Sequence, residues 1–154
     1  MVRWHKFLRL SRSERWLLIQ AFLLLPLTGL ALRLLGFKGL HAALAGLTPR
    51  NGILVRSKLQ RLAQARSSTR MVEAAARHGI FHANCLQRSL TLLWLLRRQG
   101  IEANLRIGVC KRAGRFQAHA WVEHLGLVLN DSGDVQERFA PFDRAIVPFG
   151  VKSK

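Results

Sequence analysis

Three residue types that together perform acyl transfer occur within one stretch of the chain: Cys85, His119 and Asp131. A nucleophilic thiol needs a base to take its proton, and a third group to hold that base in one tautomer. Cys85 follows Asn84, a good N-cap residue, and opens a segment of helical apolar spacing. In a first helical turn, the unpaired backbone N–H groups and the dipole favour thiolate over thiol. A lone cysteine is more often a buried structural residue, so the other two residues carry the argument. His124-Leu125-Gly126 reads as a three-residue hairpin loop with Gly126 left-handed. Counting outward from that loop sets Glu123 opposite Leu127, Trp121 opposite Leu129 and His119 opposite Asp131. Opposed residues point to one face of a sheet, so His119 and Asp131 are expected side by side. A one-residue slip brings Asn130 to His119 instead, and asparagine also serves as an orienting group. Taken alone, this counting leaves both a triad and three unrelated, separately satisfied residues open.

The neighbouring polar residues divide into candidates and bystanders. Asn84 reads first as a plain N-cap, with an oxyanion-binding role for it or for a backbone N–H near Cys85 as the alternative. Trp121 shares the expected face of His119, either shielding it from water or serving as ordinary core. His78, His82 and His124 are expected at the surface or in turns, and Cys110 is given no role. A zinc site from Cys85, Cys110 and His119 matches no metal-ligand spacing, so no metal and no cofactor is expected. Asp134 is the fallback for Asp131, although Ser132-Gly133-Asp134 reads better as a turn.

Elements able to position these residues are legible from periodicity. A helix is expected from Cys85 to about Gln99, with Leu86, Leu90, Leu93, Trp94 and Leu96 on its apolar side and Gly100 as its stop. Residues 102–109 alternate as a half-buried strand; Lys111–Arg115 is a basic turn; Phe116–Glu123 and Leu127–Asp131 are two further strands. Pro141-Phe142 and Pro148-Phe149 suggest a wrapping loop. One helix followed by an antiparallel sheet is an α+β arrangement. Upstream, Ser11 or Ser13 caps a helix over about 13–35, with Glu14 in its first turn and Gly36 and Gly39 at its end, then a short helix near 40–46. Further helices are expected over 53–66 and over Met71–His78, with Ser67-Ser68-Thr69 as the boundary between residues 1–68 and 69–154.

The 154 residues carry 25 Lys+Arg against 8 Asp+Glu, a net charge of +17. Residues 1–72 hold 13 of those cations and a single acid, Glu14. So few carboxylates argue against a two-carboxylate hydrolase or an all-oxygen cation cage. Two cysteines exclude a disulfide scaffold and a four-thiolate zinc site. The charge implies an anionic partner: nucleic acid, a lipid surface or an acidic peptide. Against nucleic acid, the cations are mostly single and no aromatic–basic ladder occurs, and a solvated basic face that aids solubility stays open beside any specific anionic partner. Leu17–Leu35 is strongly apolar, but it contains Gln20, Pro26, Thr28, Gly29 and Arg33. A kinked, largely buried helix pair is the leading reading. An interfacial amphipathic helix comes second, and a true span or a signal peptide ending near Ala43-Leu44-Ala45 third.

One family resemblance gathers these residues. Asn84-Cys85-Leu86-Gln87-Arg88-Ser89-Leu90, Gly100-Ile101, Ile107-Gly108-Val109, His119-Ala120-Trp121-Val122-Glu123 and Leu129-Asn130-Asp131 together resemble the transglutaminase-like core of lasso-peptide maturation proteases, the B-protein leader peptidases. The resemblance covers about residues 70–145. It implies a papain/transglutaminase-like α+β fold and a cytoplasmic thiol protease in which Cys85 attacks the leader–core junction of a precursor peptide. His119 would activate the thiol and protonate the departing amine, and Asp131 would orient His119. It further implies an ATP-dependent macrolactam cyclase as recipient of the core peptide. A small leader-recognition domain of about 80 residues does not fit beside an intact core in this length, so a separate recognition protein is expected. The basic helices of residues 1–68 would dock the leader, a partner or a membrane surface. The rival readings are a basic lipid- or nucleic-acid-binding module with Cys85 merely buried, and an acyltransferase that passes the acyl group to an amine.

Overall fold

The computed structural model describes residues 10–47, 57–79 and 82–141. Among the described residues three helices come first: α1 (Arg12–Leu47), α2 (Lys58–His78) and α3 (Cys85–Arg98). A sheet follows, made of β1 (Asn104–Arg112), β2 (Arg115–His124), β3 (Leu127–Val128) and, after the short α4 (Val135–Arg138), β4 (Ala140–Pro141). Its spatial order is β3-β2-β1-β4, with every pair antiparallel. The fold is α+β, a cysteine-bearing helix on an antiparallel sheet preceded by basic, Leu-rich helices.

Local chemistry accounts for the starts of α1, α2 and α3. Ser11 and Glu14 form a reciprocal cap at α1, Ser11 N–H donating to Glu14 Oε2 at 3.0 Å and Glu14 N–H to Ser11 Oγ at 3.2 Å. Ser57 with Gln60 caps α2 in the same way, and Asn84 with Gln87 caps α3. At Gly36 (φ 66°, ψ 176°) the backbone of α1 leaves helical geometry, which is the expected stop, taken up here as a break inside one long element. Ile53–Arg56, expected as helix, lie outside the described residues. The expected interruption at Ser67-Ser68-Thr69 does not occur. Ser68 and Thr69 are buried within a continuous α2, and the Thr69 hydroxyl donates to the Ala65 carbonyl at 2.9 Å. Such back-bonding satisfies a hydroxyl inside a helix, so three hydroxyl residues need not end one.

The main core lies between the helices and one sheet face: Leu18, Ala21 and Leu25 of α1, Val72 and Ala75 of α2, Leu90, Leu93 and Leu96 of α3, and Leu105, Ala120 and Val122 of the strands. Thr28 of α1 and Thr91 of α3 join their buried hydroxyls at 3.1 Å. The expectation of a largely buried first helix is corrected here. The inner face of α1 is core, while Trp16, Ile19, Leu23, Leu27, Leu30 and Leu34 are exposed.

The β2–β3 loop is two residues, not three. Leu125 (φ 52°) and Gly126 (φ 78°) both occupy left-handed backbone, and Glu123 pairs with Val128, His124 with Leu127. Two consecutive left-handed residues give the tight hairpin turn whose twist matches the strands. His124, expected at the surface, is buried at 3% exposure, its Nδ1 hydrogen-bonded to the Glu102 carbonyl at 2.5 Å. Pro141 belongs to β4 and pairs with Gly108; the rest of the expected wrapping loop lies outside the described residues.

Candidate active site

The loop correction changes how His119 and Asp131 meet. Continued in its observed register, β3 would set Asp131 opposite Ala120, on the wrong face for His119. The strand ends at Val128, however, and the chain bends through Leu129–Asp131. That bend returns the carboxylate, and His119 Nε2 hydrogen-bonds Asp131 Oδ2. The straight ladder expected to set the two residues opposite each other does not occur; the bend brings the side chains together instead.

Asn130 explains the bend. Leu129 N–H still donates to Val122 O at 2.9 Å, but the next rung is made by a side chain: Val122 N–H donates to Asn130 Oδ1 at 2.8 Å. Asn130 Nδ2 then donates to Ser89 Oγ at 2.9 Å, and the Ser89 hydroxyl donates to Ala120 O at 3.0 Å. Backbone groups two residues apart point the same way from a strand, so Ala120 and Val122 present the edge that β3 has vacated. Ser89 and Asn130 close that edge and fasten α3 beside His119. Cys85 lies one helical turn before Ser89 on the same face, about 6 Å back along the axis. It is half-buried and packs on the core.

Asp131 is held by more than histidine. Ser132 donates to its Oδ1 from backbone N–H (2.7 Å) and hydroxyl (3.1 Å), and Arg138 Nη2 donates to the same oxygen at 2.8 Å. Partial burial pushes this carboxyl up. The hydrogen bonds from His119 and from the Ser132 backbone and hydroxyl outweigh it, so Asp131 sits below the usual carboxylate range. An ionised Asp131 fixes the hydrogen of His119 on Nε2 and leaves Nδ1 as the nitrogen able to accept a proton.

Two aromatic rings stack on His119. Trp121 stacks on it at 6.3 Å between centroids and Phe139 at 4.9 Å. Trp121 is fully buried; its indole N–H donates to Glu123 Oε1 at 2.8 Å, and Glu123 in turn accepts from Arg106 Nε at 3.1 Å and Gln136 Nε2 at 2.7 Å. Phe139 reaches the ring by passing over Gly108, which pairs with His119 across the sheet. A Cβ at Gly108 would lie 2.9 Å from Trp121 Cη2, 3.0 Å from Ala140 O and 3.0 Å from Phe139 Cβ. Gly108→Ala is therefore expected to destabilise the fold by about 1–3 kcal/mol, read as a lowered urea midpoint. An unchanged midpoint would show that the packing around Gly108 has slack.

A pH effect follows from Asp131. Its lowered folded-state value means it stabilises the protein above its unfolded value, near 3.9, and that this contribution disappears as pH falls through the folded value. Glu14 behaves alike, held low first by the Ser11 backbone N–H. The melting temperature should fall below about pH 4, and Asp131→Asn should make that fall shallower. An identical acid profile in the variant would contradict the paired carboxylate.

Of the other sequence candidates, Asn84 is engaged as the N-cap: Gln87 N–H donates to its Oδ1 at 2.9 Å. Asp134 pairs with Arg138 Nε at 3.2 Å and is not the partner of His119. His82 is exposed, and Cys110 lies in β1 opposite Gln117, two positions along from the Gly108–His119 pair. No group of three or more metal-ligating side chains occurs among the described residues. Sequence reasoning missed Ser89, Phe139, Ser132 and Arg138 as parts of the site. Only Gly108, a glycine inside an alternating strand, signalled a close crossing.

The family model described as "Transglutaminase-like superfamily" matches residues 25–144. Among curated proteins, Microcin J25-processing protein McjB of Escherichia coli is 38% identical over 62 residues, which is 40% of this chain and 29% of that protein. The aligned segment thus spans under a third of the relative's length. No solved structure matches the chain.

Proposed function

Because the chain belongs to the transglutaminase-like superfamily, we propose that it is a cysteine peptidase that removes the leader from a lasso-peptide precursor. The observation that carries this reading is the oriented imidazole. His119 is locked through Nε2 to an ionised Asp131, at a strand edge that Ser89 fastens to the helix bearing Cys85. The likeness to a protein named for processing microcin J25 supports the substrate class.

In the proposed reaction, Cys85 gives its proton to His119 Nδ1 and its sulfur attacks the carbonyl at the leader–core junction. The backbone N–H of Cys85, which has no partner within the helix at the start of α3, stabilises the oxyanion. His119 then returns the proton to the departing amine, which is the new N-terminus of the core peptide. The leader remains as a thioester until a water, deprotonated by His119, releases it as a carboxylate and frees the thiol. The core peptide passes to an ATP-dependent cyclase. A separate recognition protein presents the leader, and residues 1–68 provide docking surface while residues 69–154 carry the catalytic groups. The setting is cytoplasmic.

The test is to incubate the chain with a candidate precursor and its recognition protein, and to follow peptide masses with and without an added primary amine. Cleavage to free leader acid and free core supports the peptidase. Amine-capped leader as the main product would assign acyl transfer, and an intact precursor with every candidate pair would overturn the reading.

A further inference from the structure

We propose that the outer face of α1 docks on an anionic lipid surface, lying flat in the headgroup region and not crossing the bilayer. Trp16, Ile19, Leu23, Leu27, Leu30 and Leu34 follow one another at spacings of three and four, so they form one stripe along the helix. Its length is about 27 Å at 1.5 Å per residue. The side chains are well out in solvent, Trp16 at 61%, Leu23 at 63% and Leu34 at 74% exposure. Contiguous apolar surface of this extent marks a partner or a membrane.

Charge selects the occupant. No ionised side chain interrupts α1 between Trp16 and Leu32, while Arg12 and Arg15 precede the stripe, Arg33 adjoins its last leucine, Leu34, and Lys38 follows it. The lone acid nearby, Glu14, is bound to Ser11 and to Arg70 at 3.0 Å. A second copy laid on the stripe, parallel or antiparallel, would set cations against cations with no acid to answer them. A bilayer bearing acidic headgroups provides both an apolar layer for the leucines and countercharge for the four flanking cations. Trp16, at the stripe's end beside two arginines, suits the headgroup boundary.

The inner face of α1 decides between lying on and crossing. Although Arg12–Leu40 is long and apolar enough to span, Leu18, Ala21 and Leu25 are core residues, and Thr28 is bonded to Thr91 of α3. Gly29 lies so close to α3 that a Cβ there would come within 2.4 Å of Gln87 Nε2. Crossing a bilayer would strip α1 from this core.

Flotation with vesicles of phosphatidylcholine, alone or mixed with phosphatidylglycerol, tests the proposal. The full chain should float with the mixed vesicles only, release in about 0.5 M salt, and lose at least tenfold in partition on Leu23→Gln/Leu27→Gln/Leu30→Gln, by roughly the area argument for interfacial helices. Because all three residues are exposed, the variant should melt as the parent does, which separates lost docking from lost folding. Equal flotation of parent and variant, equal binding to neutral vesicles, or retention through alkaline carbonate would overturn it. So would a lipid-free dimer, or a recognition-protein complex, that forms through this stripe while vesicle binding is absent.

Discussion

Replacing Cys85 by alanine is expected to abolish precursor cleavage, lowering the single-turnover rate by on the order of 10⁴–10⁶-fold. The magnitude follows from the proposed chemistry. With no sulfur there is no thioester, and the oriented imidazole has nothing to activate except water. The fold should survive: Cys85 is half-buried at the edge of the core, and losing one sulfur there costs under about 1.5 kcal/mol. The Asn84–Gln87 cap is untouched. Binding of precursor should also be retained, so the variant ought to hold uncleaved peptide. Mass spectrometry of the precursor beside a melting curve checks both halves. Residual cleavage within tenfold of the parent would remove Cys85 from the mechanism.

Asp131→Asn should have the next largest effect, a fall of about 10³–10⁴-fold in the same rate, together with loss at neutral pH of the stability that the ionised carboxylate contributes. Asparagine preserves the shape of the carboxylate but presents an N–H where an acceptor stood. His119 can then meet it through an unprotonated Nε2, which leaves the hydrogen on Nδ1, where the thiol proton must go. Arg138 and Ser132 also lose their shared anion. Arg138→Gln is the informative comparison, since it removes the cation and keeps the histidine's partner; its loss should stay within about tenfold. The two effects are separated by assaying both variants across pH. If Asp131→Asn cleaves within tenfold of the parent, Asp131 does not orient the base.

Much of this site was legible because its signals are local. A capping asparagine, an apolar helix and a glycine stop defined the Cys85 helix to within a residue, Cys85–Arg98 against an expected end near Gln99. Gly100 adopts the positive φ of 70° that makes glycine the preferred terminator. The strands of the first hairpin followed from alternation. What escaped was non-local. The length of the Leu125-Gly126 turn depended on Leu125 accepting left-handed backbone, which its side chain does not advertise. The bend after Val128 depended on Asn130 finding a serine 41 positions away. His124 looked like a turn residue because its buried partner is a carbonyl, and carbonyls leave no mark in a sequence. The α2 hydroxyl cluster read as a boundary for a similar reason: the acceptor that tolerates Thr69 is the backbone of its own helix.

His119 and Asp131 are 12 positions apart and belong to one hairpin, whereas the ties that bring the Cys85 helix to the same edge span 31 and 41 positions. Short loops close before long ones during folding. The base and its orienting group should therefore assemble first, with the nucleophile arriving at the last long-range docking. On the proposed mechanism, catalytic competence is then a readout of complete folding, and a nascent or half-denatured chain should be inert toward the unfolded polypeptides around it.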